Sequence, residues 1–381
     1  MLPHVSVIYT NGNLLADVSV IDGIGGLCVT ANTPGLIGKV DVIYNLQDAI
    51  AAGYTEIAES FAYRQIKEFY DEVGGNQKLY VMGTAETMAM ADALDNTDET
   101  GAKKLVKAAN GEVRLLGICR KPSAGYVGGV NYFDTDVDAA LIAANTFCQA
   151  RLAELVPLRI LIEGRLADET KPILTDPKDA SAGGVGVVLG GSINDGSASV
   201  GTALGRAVKY PAHIKVGKVA NGPLAIQNVY IGSKQLKDIP GLAALHDAGC
   251  ISFLQHPNKA GYYFGIDHMA SIDDYRLLVY GRVIDKAAII ASAVYVEELE
   301  GEVSVDASGR MSEIDIEHLK GTLTQQINAT MADQISGLKV IIDPVQDIIS
   351  TGKLTVQVQI RPLGYKSFIE VQLGLSAPAA V

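Results

Sequence analysis

The stretch Ile349-Ser-Thr-Gly-Lys-Leu-Thr-Val-Gln-Val-Gln-Ile-Arg-Pro-Leu-Gly-Tyr-Lys-Ser-Phe-Ile-Glu-Val-Gln-Leu-Gly-Leu375 sets the period of the C-terminal part of this 381-residue chain. After the turn Ser350 to Lys353, Leu354, Val356, Val358 and Ile360 fall on one side of an extended chain. Thr355, Gln357, Gln359 and Arg361 fall on the other. Such a strand buries one face and wets the other. Beyond Pro362 to Tyr365 a second run, Phe368 to Leu375, repeats the pattern, with Ile369, Val371, Leu373 and Leu375 against Glu370 and Gln372.

The segments before it read as helices that cover this sheet. From Val283 to Tyr295, the residues Ile284, Ala287, Ala288, Ala291, Val294 and Tyr295 recur at helical spacing and predict one apolar face. Ser312 is an N-cap with Asp315 three residues on, and Ile316, Leu319, Leu323, Ile327 and Met331 form a stripe about four turns long. Leu338 to Ile342 supplies a strand that Asp343-Pro344 stops, because proline cannot donate to a sheet ladder. A short helix from Leu242 ended by Gly249, a strand Ile251 to Leu254 and an extended run Ala260 to Ile266 precede them. Together these predict an α+β domain over 242–366.

Between Val40 and Ala212 strands and helices alternate, which predicts an α/β domain with a mostly parallel sheet. Strands are expected at Val40 to Tyr44, Leu79 to Met82, Val113 to Ile118, Leu158 to Glu163 and Val185 to Leu189. Helices are expected at Ile57 to Val73, Glu86 to Leu94, Gly101 to Ala109, Val137 to Leu155 and Ala198 to Val208. A glycine-rich passage, Gly23 to Gly38, separates this region from an edge strand at Val5 to Thr10. The expected division is an arm at 1–20, the α/β domain at 21–241, the α+β domain at 242–366 and a second arm at 367–381.

The order of these signals resembles the C-terminal domain of contractile tail sheath proteins, known from bacteriophages, R-type pyocins and related injection systems. The resemblance rests on the passage "DDYRLLVYGRVIDKAAIIAS", the long amphipathic helix, and Gly352, Leu354, Val356, Val358, Ile360 and Pro362, which follow a "G-x-L-x-V-x-V-x-P" pattern with Ile360 as one more alternating position before the proline. Upstream, "AESFAYRQIKEFYDEVGG" and "SASVGTALGRAVKYPAHIKVGKVANGPL" are similar to further passages of the same family. The resemblance implies a structural subunit rather than an enzyme, with no cofactor and no metal. It implies stacked hexameric rings around an inner tail tube, with baseplate and tail terminator components as further partners. It also implies terminal arms, here Val5, Val7 and Tyr9 and then Ile369, Val371 and Leu373, that add strands to a neighbour's sheet built on Leu354, Val356, Val358 and Ile360. The resemblance places the protein in the bacterial cytoplasm during assembly and then in the sheath of a virion, prophage or injection device.

Composition is compatible with that expectation. Charged residues make up 19% and hydrophobic ones 48%, with no tryptophan, which describes a globular chain. The net charge of −12 argues against a nucleic-acid partner, since phosphate binding needs a basic patch. No run of 18 apolar residues exists, and Met1-Leu-Pro-His4 opens no signal peptide, so no membrane insertion is expected. Cys28, Cys119, Cys148 and Cys250 lie far apart and read as buried free thiols.

The α/β half invites a second reading, an enzyme of hydrolase or nucleotide-binding type with an appended α+β domain, and a third is a non-contractile structural protein. Gly183 to Gly191 is glycine-rich beside a strand, but its spacing is not G-x-G-x-x-G. Gly35-Leu-Ile-Gly-Lys39 is too short for a phosphate loop. Asp134, Asp136 and Asp138 have calcium-loop spacing, yet Ala139 stands where glycine is required, and carboxylates suit a helix start. His246, Cys250, His256, Asp267 and His268 match no standard zinc spacing. No G-x-S-x-G elbow is present. An enzyme would need convergent polar residues at the carboxyl ends of the strands.

Overall fold

The computed structural model describes residues 22–97, 99–121, 133–166, 176–239, 241–306, 309–371 and 373. Its first part runs β1 (Gly25–Thr30), β2 (Val40–Ile43), α1 (Leu46–Ala52), α2 (Ser60–Val73), β3 (Leu79–Thr84), α3 (Met90–Ala93), α4 (Ala102–Ala108), β4 (Leu115–Cys119), α5 (Thr135–Ala153), β5 (Arg159–Gly164) and β6 (Val185–Leu189). It continues through α6 (Val200–Lys209), β7 (Tyr230–Ile231), β8 (Lys234–Gln235), α7 (Leu242–Asp247), β9 (Cys250–Leu254) and β10 (Tyr263–Phe264). The second part comprises α8 (Leu278–Val296), α9 (Glu313–Met331), β11 (Ile335–Ile342), α10 (Ile348–Thr351) and β12 (Val356–Pro362).

Among the described residues, eight strands form one sheet in the order β10-β9-β6-β5-β4-β1-β3-β2. β9, β6, β5, β4, β1 and β3 are parallel, and antiparallel strands close both edges. Parallel strands covered by helices on both faces are apolar along their length, and β1, β3, β4 and β6 are buried throughout. Consecutive glycines at the start of β1 demonstrate the two layers, because neighbouring strand residues point to opposite faces. A Cβ on Gly25 would lie 3.5 Å from Leu204 of α6, and one on Gly26 would lie 2.8 Å from Leu105 of α4. The passage Gly23 to Gly38, expected to be a separator, therefore contains a central strand. Its glycines are there so that helices can approach the sheet closely.

Three other expectations change. Cys250–Leu254, expected to open the α+β domain, pairs in parallel with β6 inside the large sheet. Its short apolar run cannot by itself say which sheet it joins. The helix expected from Ile57 begins at Ser60, and that expected from Glu86 shrinks to Met90–Ala93. The α/β class itself, with an α+β region after it, is what the structure has.

The second part is built as its periodicity required. Ser312 caps α9 by accepting from Ile314 N, and Ile316, Leu319, Leu323, Ile327 and Met331 are its buried stripe. β11 and β12 pair antiparallel, with Leu338 opposite Ile360, Val340 opposite Val358 and Ile342 opposite Val356. These side chains pack on Val283, Ala287, Ile290, Leu323 and Ile327 and on a smaller cluster around Met311 and Ile316.

The first half of α8 departs from the expected one-sided face. Its buried residues include Arg282, Asp285 and Lys286, whereas Ile284 and Ala288 are only partly covered. The reason is that α8 lies between the two parts. Asp285 receives Arg159 of β5 in a two-pronged pair, both contacts at 2.6 Å. Arg282 donates to the carbonyls of Asp22 and Tyr210 at 3.0 and 3.2 Å, and Lys286 pairs with the Asp22 carboxylate at 2.9 Å.

Candidate inter-subunit surface

A strand acquires neighbours on both sides or leaves a row of N–H and C=O groups unpaired. Among the described residues β11 and β12 form a sheet of two strands, so each has a free edge. Two strands cover a helical layer incompletely. Val356, Val358 and Ile360 point to the core, as the alternation predicted, but are only partly buried, as are Leu338 and Val340 opposite them. Leu354 precedes β12 and packs with Val356 on the smaller cluster. The outer face carries Lys339, Gln357, Gln359 and Arg361, all exposed.

The chain leaves β12 through a fixed point. The Tyr365 hydroxyl donates to the His213 carbonyl at 2.6 Å, and its ring lies 5.9 Å from that of Tyr280 and 5.4 Å from the Lys215 ammonium. Burial pushes the Tyr365 hydroxyl far above its ordinary pKa, so it remains a donor. Beyond Ser367 the large apolar side chains are exposed: Phe368 is 87% exposed, Ile369 76%, Val371 71% and Leu373 92%. The strand expected over Phe368 to Leu375 does not form across its described residues, because no second strand lies beside it to take its hydrogen bonds. Val5, Val7 and Tyr9 lie outside the described residues.

The N-terminal side enters at the same place. Asp22, the first described residue, accepts from Ala212 N at 3.2 Å as well as from Lys286. The loop from Pro211 to Lys215 thus holds both the entering and the leaving chain. The sequence reading missed this loop and the charged residues of α8. Arg282, Asp285 and Lys286 interrupting an apolar helix were the available signal, since such residues are rarely buried without partners.

The polar groups at the carboxyl ends of the central strands are engaged internally. The order in which strands are added reverses between the parallel neighbours β1 and β4, where a ligand would sit outside the strand ends. There Glu59 accepts from Asn32 N at 2.7 Å and Thr33 N at 2.6 Å, while Thr30 Oγ1 accepts from Lys121 N at 3.0 Å. Glu163 accepts from Arg120 N at 2.9 Å and Ala198 N at 3.2 Å and pairs with Arg165. Burial raises its pKa, and Arg165 opposes that shift. The cavity beside it, lined by Met90, Arg120, Asp134, Asp136, Val137 and Arg165, has a volume of about 10 Å³. That is the space of one water.

The remaining motifs have local roles. Asp134 caps α5, and Asp136 accepts from Met90 N and pairs with Arg120 at 3.0 Å, so the aspartate run is a helix start. Gly183 to Gly191 frames β6, with Gly190 at φ 100° in the turn after it. Gly35 to Lys39 lies in the turn before β2, and Gly38 donates to Gly83 O. His246 and His268 have ring centroids 5.1 Å apart, His256 contacts Tyr263, and Asp267 pairs with Lys215 at 3.2 Å. Among the described residues no group of three or more histidine, cysteine or acidic side chains is placed to hold a metal. All four cysteines are free and buried. Burial pushes the thiols of Cys28, Cys148 and Cys250 up to about 12.

The family model described as DUF2586, N-terminal domain, matches residues 2–268, and that described as DUF2586, C-terminal domain, matches residues 274–380. The join falls after β10 and before α8. No curated protein sequence matches the chain. Among solved structures, the helical sheath of the anti-feeding prophage in its contracted state is similar with a TM-score of 0.61 at 13% identity, over 98% of this chain and 99% of that one. The PVC sheath complex of an extracellular contractile injection system, also contracted, gives 0.60 at 12% identity over 98% and 97%. A chain of the anti-feeding prophage baseplate gives 0.59 at 13% identity over 99% of both. At this identity the likeness is one of fold, and it extends over nearly the whole chain. Among the described residues no helix is long and apolar enough to cross a membrane.

Proposed function

Because this chain belongs to the DUF2586 family, in both its N-terminal and its C-terminal domain, and has the fold of contractile sheath subunits, we propose that it is itself a sheath subunit. Copies stack as hexameric rings around an inner tube, on a baseplate and below a terminator, and their rearrangement drives the tube into a target envelope. The subunit is made in the bacterial cytoplasm and works in a phage-like device. The role is structural and uses no cofactor. We place the division between its domains near residue 270, where the large sheet has ended.

The observation that carries this reading is a sheet that, among the described residues, is open at both edges, together with the exposed apolar residues Phe368, Ile369, Val371 and Leu373 that follow it. A third strand would take up the free hydrogen-bonding row and bury the half-covered Val356, Val358 and Ile360. In a polymer that strand comes from a neighbour, as Ile369, Val371 and Leu373 or as Val5, Val7 and Tyr9. Main-chain bonds of this kind hold copies together while rigid domains rotate, and a bistable packing needs no nucleotide.

Purified full-length protein, concentrated and viewed by negative-stain electron microscopy, is expected to form tubes or rings. A chain ending at Ser367 is expected to keep the far-ultraviolet circular dichroism and denaturation midpoint of the parent and to form none. Tubes of ordinary length from the shortened chain would sink the arm assignment.

A further inference from the structure

The outward face of α5 is unlike that of a surface helix. Val137, Ala140, Leu141, Ala144, Phe147 and Cys148 are buried against the sheet, as expected. The opposite side presents Ala139, Ile142, Thr146, Gln149 and Leu152, with Leu155 just past the end, all exposed. Ile142 is 70% exposed, Leu152 52% and Leu155 65%. Surface helices carry charge on the side away from the core. Here the only charged residue between Asp138 and Glu154 is Arg151, which is 4% exposed, with its guanidinium held by Asn96 and Glu154. Even Thr146 shows little polarity, since its hydroxyl donates to the Ile142 carbonyl at 3.1 Å.

Leu155 adds a second oddity. It has φ 62°, at a helix terminus where glycine or asparagine usually takes the left-handed conformation. The free subunit therefore bears both a conformational cost and an apolar side chain in water. Features of this kind belong to surfaces that are covered in use.

We propose that this face of α5 is a contact between copies of the chain within the polymer. Its charge identifies the occupant. Copies with net charge −12 repel one another, so they meet at least cost where charge is absent. A basic partner would instead be met by carboxylates, and this face offers them only at its two ends, Asp138 and Glu154. Its size sets the context. Ala139 to Ala153 spans roughly 20 Å along a helix about 10 Å wide, or some 200 Å², well below the approximately 800 Å² per partner of a self-sufficient interface. The face therefore does not dimerise the free subunit, and it closes only where other contacts have already brought copies together. This inference rests on the sheath reading.

The test uses Ile142→Cys, which places one accessible thiol beside four buried ones. Its maleimide labelling rate in the full-length chain is expected to fall at least tenfold between dilute subunit and assembled tubes. Undiminished labelling in tubes overturns the proposal. The double variant Ile142→Glu/Leu152→Glu is expected to keep the parent's denaturation midpoint, since both sites are exposed, and to form at least tenfold fewer tubes. Ile142→Val/Leu152→Met is expected to form them normally, and equal tube numbers from the charged variant also overturn it. Failure of the sheath reading looks different, because then the parent chain forms no tubes. In that event the contact, which closes only within the polymer, falls with it, whereas tubes whose labelling is undiminished remove the contact alone.

Discussion

At the scale of single residues, His268 gives the cost of burying a charge a measurable form. Burial, reinforced by the neighbouring His246, lowers its pKa from 6.5 to about 4. The unfolded chain therefore takes up a proton near pH 6.5 that the folded chain refuses until about pH 4. Stability from this group is complete above 6.5 and is lost progressively as pH falls towards 4. His246 is shifted in the same direction, chiefly by burial. The buried carboxylates Asp267 and Glu163 are raised and work in the opposite sense. For that reason the comparison must be with a variant. His268→Gln is expected to lose less stability than the parent between pH 6.5 and 4.5, read from urea midpoints at the two values.

At the scale of elements, the α2–α6 crossing and the middle of α9 use glycine for opposite reasons. A Cβ on Gly201 would stand 1.9 Å from Gln65 O, and one on Gly205 2.7 Å from Phe69 O, so the two helices touch backbone to backbone. Gly321, within α9, has nothing within 4 Å of that position. Gly201→Ala is expected to destabilise the fold by about 1–3 kcal/mol or more through overpacking. Gly321→Ala should stabilise it by roughly 0.5–1 kcal/mol, because only the entropic cost of glycine is removed. Thermal and urea melts of the two variants should move in opposite directions. The sequence does not distinguish these glycines, since both sit in helical patterns and only the partner helix tells them apart. The same limit explains β1, where Gly25 and Gly26 hid a central strand, and β9, whose four apolar positions carry no sheet address. What could be read was whatever periodicity dictates locally: the α9 stripe, the β12 alternation and the apolar parallel strands. In β12, the alternation that turns Val356, Val358 and Ile360 to the core was legible. The loop that anchors the chain ends was not, because its hydrogen bonds join residues more than 150 positions apart, such as Tyr365 and His213.

At the scale of the whole molecule, the two parts are joined by charge as well as by packing. Arg159 of β5 and Asp285 of α8 are both largely buried, and neither has another carboxylate or guanidinium as close. Removing one partner strands the other without compensation. Asp285→Ala is thus expected to cost about 3–5 kcal/mol, read as a lowered urea midpoint of the full chain. Replacing both by a well-packed apolar pair is expected to restore much of that loss, since the desolvation cost disappears with the charges.

The loop from Pro211 to Lys215 has a further consequence for anyone building on this protein. Asp22 and Tyr365 are fastened to adjacent residues of it, so two positions 343 apart in sequence share a single doorway. A fluorophore near Asp22 and another near Ser367 would form a short ruler fixed to one landmark, insensitive to the rest of the body. Any stretch between them would then register release of one of the two anchorages on that loop.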